Sequence, residues 1–185
     1  MKKNIIKLSL ASLVAILFSF TLPEGWITAG SKPKSYDMGI APNEGRDGKN
    51  CATIQSKDKK IDGFGTLMQM ISAEKYKGKR LKLSAYIKTQ DVEEWCGLWM
   101  RGDGLNKELL AFDNMGNRPI KGNTDWKIYE VILDIPESTN KIAFGTLLDG
   151  TGKVWIDDYN MEIVEKTVPT TGNYSSNPKN LSFDE

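Results

Sequence analysis

The feature that most constrains this chain is a hydrophobic alternation of period two, interrupted by clusters of Gly, Asn, Asp and Pro. In residues 79–88, Leu81, Leu83, Ala85 and Ile87 fall on one face, with Lys82, Ser84, Tyr86 and Lys88 on the other. Residues 129–135 repeat the pattern with Tyr129, Val131, Leu133 and Ile135, and residues 141–148 with Ile142, Phe144, Thr146 and Leu148. Residues 154–164 follow with Ile156, Met161 and Ile163. Alternation of this kind places successive side chains on opposite faces of a strand, and Gly-rich breaks between short strands are the mark of antiparallel pairing. No long stretch carries a helical period. The expectation is an all-β domain, either a sandwich or a barrel, with a jelly-roll β-sandwich as the best single choice. The pair Phe64-Gly65-Thr66-Leu67 and Phe144-Gly145-Thr146-Leu147 reads as two similar strands of one sandwich and not as a repeat.

Composition narrows the chemistry. The 185 residues include no histidine and only two cysteines. That excludes Ser-His-Asp and Cys-His relays, imidazole metal ligands and four-thiolate zinc sites. The 25 Lys and Arg balance 24 Asp and Glu, so no net field favours nucleic acid or an anionic membrane. Without a helix-turn-helix pattern or basic patch, no nucleic-acid partner is expected. Catalysis would have to run on carboxylates, Lys, Arg, Tyr or Ser. The adjacent Glu93 and Glu94 point to opposite faces of a strand and do not form the carboxylate pair that glycoside hydrolysis needs. A carboxylate-based glycosidase or lyase therefore ranks below a non-enzymatic role.

The two ends differ from the middle. Lys2, Lys3 and Lys7 precede an apolar run from Leu8 to Phe20, the layout of an export signal and short for a spanning helix. Residues 1–21 are read as a signal peptide or N-terminal anchor, which makes the protein periplasmic, cell-surface or secreted, and membrane-attached only through this segment if it is retained. Residues 22–166 form the β-sandwich domain. Residues 167–185 are polar and turn-rich, a linker and tail. Export would permit a Cys51–Cys96 disulfide, while two buried free thiols are the competing reading.

The candidate site is centred on the strand around residues 95–101. Period two sets Cys96, Leu98 and Met100 on a core face and Trp95, Gly97, Trp99 and Arg101 on the other. An indole covers the apolar face of a sugar ring, and a guanidinium donates in a fork to hydroxyl or carboxylate oxygens. Asp113, Asn114 and Arg118 are candidates for the polar contacts that fix a ligand's orientation, and Gln69 and Tyr86 on neighbouring strands join the set. The competing reading has Trp99 filling the second sheet and Arg101 bridging to Asp113.

Several motifs resemble a known family. Gly25-Trp26, Tyr36-Asp37-Met38-Gly39 and the run Asp47-Gly48-Lys49-Asn50-Cys51-Ala52-Thr53-Ile54 are similar to the opening of galactose-binding-like jelly rolls of the carbohydrate-binding-module type. Trp126 to Tyr129, Asp134-Ile135-Pro136 and Gly152-Lys153-Val154-Trp155-Ile156-Asp157-Asp158 resemble their closing strands. Gly97 to Arg101, Phe112 to Met115 and Arg118-Pro119-Ile120 look like a bacterial subgroup whose members occur alone or attached to transcription regulators. The resemblance implies a galactose-binding-domain-like fold and structural roles for Trp26, Trp126 and Trp155. It also implies a structural calcium near Asp157 and Asp158, with Asp184 as a second ligand if Asn180 to Asp184 return as a strand. No cofactor is required. The implied function is a non-catalytic module for carbohydrate or a related polar ligand. A ligand-sensing or accessory domain of the regulator type is the alternative, as is a protein–protein interaction domain.

Overall fold

The computed structural model describes residues 20–172, and its regular structure is almost entirely strand. In chain order these are β1 (Ile27–Gly30), β2 (Tyr36–Ala41), β3 (Cys51–Ser56), β4 (Phe64–Ser72), β5 (Arg80–Asp103), β6 (Leu109–Asp113), β7 (Ile120–Asp134), β8 (Lys141–Asp149) and β9 (Lys153–Val164). A single 3-10 turn at Pro33–Ser35 precedes β2.

The 24-residue β5 organises the molecule. Its first half pairs with β7 and β9, and its second half with β8 and β6, all antiparallel. Two sheets result. The first runs β1-β4-β8-β5-β6 and the second β2-β3-β9-β5-β7, so β5 turns the corner between them. The corner is made where register slips between Thr89 and Cys96 and Asp91 adopts a φ of 51°. An extra residue in a strand moves every later side chain to the other face. Before the bend, Leu81, Leu83, Ala85 and Ile87 point inward. After it, Cys96, Leu98 and Met100 do. A second bulge at Asp158, φ 51°, sits opposite the shift between Ser84 and Tyr86. It explains why the inward set of β9 changes from Val154 and Ile156 to Met161.

The inward faces meet in one core. Ile54, Leu81, Leu83, Ile87, Val154 and Ile156 of the second sheet pack on Leu67, Leu98, Met100, Ile142 and Leu148 of the first. Trp26, just before β1, closes one end, its ring centroid 5.9 Å from Phe144 and 4.9 Å from Tyr159. Tyr36 ties β2 to the opposite sheet: its hydroxyl lies 2.8 Å from the carbonyl oxygens of both Gly63 and Gly150. Burial pushes that phenol up to about 12.

Trp155 is on neither inward face. It lies on the outer face of the second sheet in a small cluster with Ala41, Cys51 and Trp126. Cys51 belongs to this cluster and Cys96 to the core between the sheets, and both thiols are free. Residues 166–171 lie against β7: the Ile132 N–H donates to Thr171 Oγ1 at 2.7 Å, and the Thr171 N–H to the Ile132 carbonyl at 2.9 Å. Arg80 donates to the carbonyls of Lys166 and Val168. This cover buries Ile132, which alternation had placed on the solvent side.

Candidate functional site

The outer face of the first sheet carries a second apolar cluster, separate from the core. Met68 of β4, Trp99 of β5, and Ala143 and Leu147 of β8 are buried there, with Ala29, Phe64 and Trp95 packed on them. A β-sheet of this type needs only its inner face covered by the core. Apolar and aromatic side chains crowded on the other face therefore build something beyond the sandwich. Here they line a cavity of about 280 Å³, open on one side. Arg101, Asn114, Thr66 and Asp149 supply polar groups, and Phe112 of β6 forms part of the wall.

The local sequence explains the shape. Trp99 pairs with Gly145, which pairs in turn with Met68. With no side chain on the middle strand, the Trp99 indole crosses β8 and donates its N–H to Thr66 Oγ1 on β4 at 2.9 Å. The Thr66 hydroxyl in turn donates to the Thr146 carbonyl at 2.7 Å. Trp99 is only 7% exposed and forms the floor. Trp95 is half-buried and forms a wall, its indole N–H held by Asp149 Oδ2 at 3.0 Å. Between them sits Gly97, where a Cβ would lie 3.0 Å from the Trp95 ring and 2.6 Å from the Asn114 carbonyl oxygen. Glycine at 97 thus lets the Trp95 ring and the β6–β7 loop both close on the strand.

The structure sorts the residues named from sequence. Trp99, Arg101 and Asn114 come together as read, although Trp99 lies beneath the groove and does not stand at its rim. Arg101 turns its Nε and Nη2 to Asp103, at 3.1 and 3.0 Å, and not to Asp113. Asp113 and Arg118 sit behind the wall. Arg118 donates to both oxygens of Asp113, at 3.1 and 2.6 Å, and to the Glu130 carbonyl. Asp113 also accepts from the Met115 N–H and the Thr171 hydroxyl. These two residues lock the loop that presents Asn114 and do not themselves line the groove. Gln69 has the wrong parity: Phe64, Thr66 and Met68 face the groove, so Gln69 points into the sandwich, beside Gly25.

Tyr86 lies on the outer face of the other sheet, with the Arg46 guanidinium 3.4 Å from its ring centroid. Trp155 is close by on that face, between the ammonium groups of Lys88 and Lys153, and its indole donates to Glu44. Hydrogen bonds from Lys153 and Trp155 hold the Glu44 carboxyl below its usual range. Asp157 accepts from the Arg46 N–H at 3.0 Å, and Asp158 is bridged by the Arg46 guanidinium at 2.7 Å. Asp184 lies outside the described residues. Among the described residues no group of three or more His, Cys, Asp or Glu gathers as a metal site.

Reading from sequence missed Phe64, Met68, Leu147, Asp149 and Phe112. The alternation of β4 and β8 contains Phe64, Met68 and Leu147, but nothing in it says that both faces of the first sheet are covered.

No protein-family profile matches the chain. Over 168 residues it is 42% identical to an uncharacterised HTH-type transcriptional regulator of Bacillus subtilis, YbfP, a match covering 88% of this chain and 57% of that protein. The chain therefore spans a little over half the length of that curated relative. Among solved structures, the CBM22-1 xylan-binding domain of Paenibacillus barcinonensis Xyn10C superposes with a TM-score of 0.56 at 11% identity, over 80% of this chain and 90% of that one. The CBM22-1–GH10 modules of Clostridium thermocellum xylanase 10B, complexed with xylohexaose, give 0.56 at 16% identity, over 80% of this chain and 28% of that one. The fold is the β-sandwich of such carbohydrate-binding modules, as the Gly25-Trp26 and Val154 to Asp158 motifs imply.

Proposed function

We propose that this domain is a non-catalytic saccharide-binding module and that its ligand lies in the groove over Trp99. One observation carries the reading: aromatic and polar side chains are assembled on the outer face of a sheet whose inner face already completes the core. Trp95 and Phe112 offer apolar surface to the C–H face of a pyranose ring. Arg101, Asn114 and Asp149 offer donors and acceptors to hydroxyls, and Trp99 fixes the depth. The fold shared with xylan-binding modules supports the reading, and it needs no cofactor. Isothermal titration of a glycan panel tests it, with Trp95→Ala as the control. Affinity for one or more glycans that Trp95→Ala abolishes is the expected result. No affinity for any glycan would count against it.

A second reading concerns context. The 42% identity to an HTH-type regulator favours a ligand-sensing role for this domain type, with the same groove as the sensor. Export belongs to the proposal through the Lys2, Lys3, Lys7 and apolar pattern, and fractionation of cells expressing the chain tests it.

A further inference from the structure

We infer that the groove takes an anionic saccharide, whose carboxylate or sulfate is read in a second basin next to the Trp99 pocket. This rests on the saccharide reading above. The second basin, about 540 Å³, shares Arg101 and Phe112 with the first and continues past them to Asp103, Lys107, Lys141 and Met70. Both basins lie along β5 from Trp95 to Asp103, about 27 Å at the rise of an extended strand. The groove therefore suits a chain of sugars more than a single ring.

The chemistry changes along that length. In the first basin the one carboxylate, Asp149, is tied to the Trp95 indole. In the second, the Asp103 carboxylate is taken by Arg101, and the nearby Glu108 carboxylate accepts from the Asn106 N–H and side-chain amide at 2.9 and 3.1 Å. Among the described residues, the ammonium groups of Lys107 and Lys141 have no ion-pair partner, and both line the basin. The loop carrying Lys107 is fixed in place, with the Gly104 N–H on the Glu108 carbonyl at 2.9 Å and the Lys107 N–H on the Gly104 carbonyl at 3.1 Å. Two unpaired cations on a braced rim beside an aromatic groove complement a sugar acid, not a neutral glycan.

The same rim also exposes Leu105 and Leu109, 79% and 61% accessible, which an anionic membrane would engage instead. The charged saccharide is favoured because the lysines open onto a basin continuous with the aromatic groove.

The test titrates the intact protein with an oligogalacturonate, a sulfated galactan oligomer and the carboxyl-reduced, neutral counterpart of the first. The same series is run on Lys107→Gln/Lys141→Gln and on Trp95→Ala. One or both anionic oligomers should bind about tenfold more tightly than the neutral one at low salt, a margin that shrinks with added salt and vanishes in the double lysine variant. Trp95→Ala should lose all three. The carboxylate and sulfate arms identify which anion is read. Equal affinity for charged and neutral oligomers overturns this inference and leaves the saccharide reading standing. No binding of any of the three oligomers overturns this inference, and the glycan panel then decides the saccharide reading by itself. Binding to phosphatidylglycerol vesicles that depends on Leu105 and Leu109, without binding of either anionic oligomer, overturns it in favour of a membrane.

Discussion

Trp95 and Trp99 sit four residues apart on one face of β5, yet the structure assigns them opposite duties, and truncating each in turn separates floor from wall. A buried tryptophan removes about 150–250 Å² from water, worth roughly 4–6 kcal/mol at ~25 cal/mol/Å². The Trp99 site opens to solvent once the ring is gone, so water fills the notch and the cost of Trp99→Ala falls to about 3 kcal/mol, the lower end for such truncations. At a urea dependence of about 1.5–2 kcal/mol/M for a domain of this size, the unfolding midpoint drops by roughly 1.5–2 M. Trp99→Phe retains most of the fill and loses only the indole donor to Thr66, which keeps its bond to the Thr146 carbonyl. Its cost is about 1 kcal/mol, with binding reduced by less than about threefold. Trp95→Ala costs stability about 1 kcal/mol, mostly the bond to Asp149, but abolishes binding. The assay pairs urea unfolding followed by fluorescence with calorimetric titration of whichever glycan binds. If Trp99→Ala left the midpoint within about 0.3 M of the parent while eliminating binding, the indole would be facing ligand and the floor assignment would be wrong.

Other substitutions probe the supports. Gly97→Ala forces a Cβ against the Asn114 carbonyl and the Trp95 ring, so it should cost about 1–3 kcal/mol and weaken binding with it, measured by the same pair of assays. Asp113→Ala leaves Arg118 without its bidentate partner and Thr171 with only the longer bond to the Ile132 carbonyl. A loss of about 2 kcal/mol should appear as a lower Tm, with amide exchange at Ile132 and Thr171 accelerated. Burial, then the nearby Asp157 and Glu44 carboxylates, push the Cys51 thiol up to about 11 from an ordinary 9.0. A group raised on folding stabilises fully below its unfolded value, and that contribution is lost as pH climbs to the folded one. Tm should therefore fall between pH 9 and 11, and Cys51→Ala should flatten that fall. At the acid end, the Arg80 guanidinium holds the Asp134 carboxyl below its ordinary 3.8. That stability is present above pH 3.8 and disappears as the pH falls through the lowered value, a loss that Asp134→Asn should remove from the acid titration.

The strands were legible because burial on one face imposes a period of two, and the residues at Leu81 to Ile87 and Ile142 to Leu148 obey it. What alternation does not show is where it changes phase. The bulges at Asp91 and Asp158 each insert one residue, and a local sequence carries no strong sign of an aspartate at positive φ. Strict alternation along β9 would set Ile156 and Met161 on opposite faces; the extra residue at Asp158 turns both inward. Trp99 and Arg101 could be placed on one face from sequence because they share a short, unbroken strand segment. Gln69 was misassigned because facing a neighbouring strand says nothing about side, and in β4 the groove side holds Phe64, Thr66 and Met68. Asp113 and Arg118 share a loop with Asn114, and proximity in sequence concealed that they turn to Thr171 and the Glu130 carbonyl, residues far along the chain.

The two outer faces of the sandwich show why residue type alone does not mark a site. Each carries tryptophan, arginine and carboxylate close together, on the second sheet with Glu44 and Arg46 supplied by the β2–β3 connection. On the second sheet those groups satisfy one another: Lys88 and Lys153 flank the Trp155 ring, Glu44 takes its N–H, and Arg46 lies on Tyr86 while bridging to Asp158. A ligand arriving there would have to displace internal contacts before making its own. On the first sheet the indole N–H groups of Trp95 and Trp99 are also satisfied, but among the described residues no cation or second ring stacks on the faces of Trp95, Phe64 or Phe112. Their polar edges are fixed and their apolar faces are left over. That combination is the pre-organisation a stacking ligand needs, since the rings are held in position before it arrives and only water must leave. The same inventory that closes one face therefore opens the other, and the difference lies in which partners the topology brings within reach.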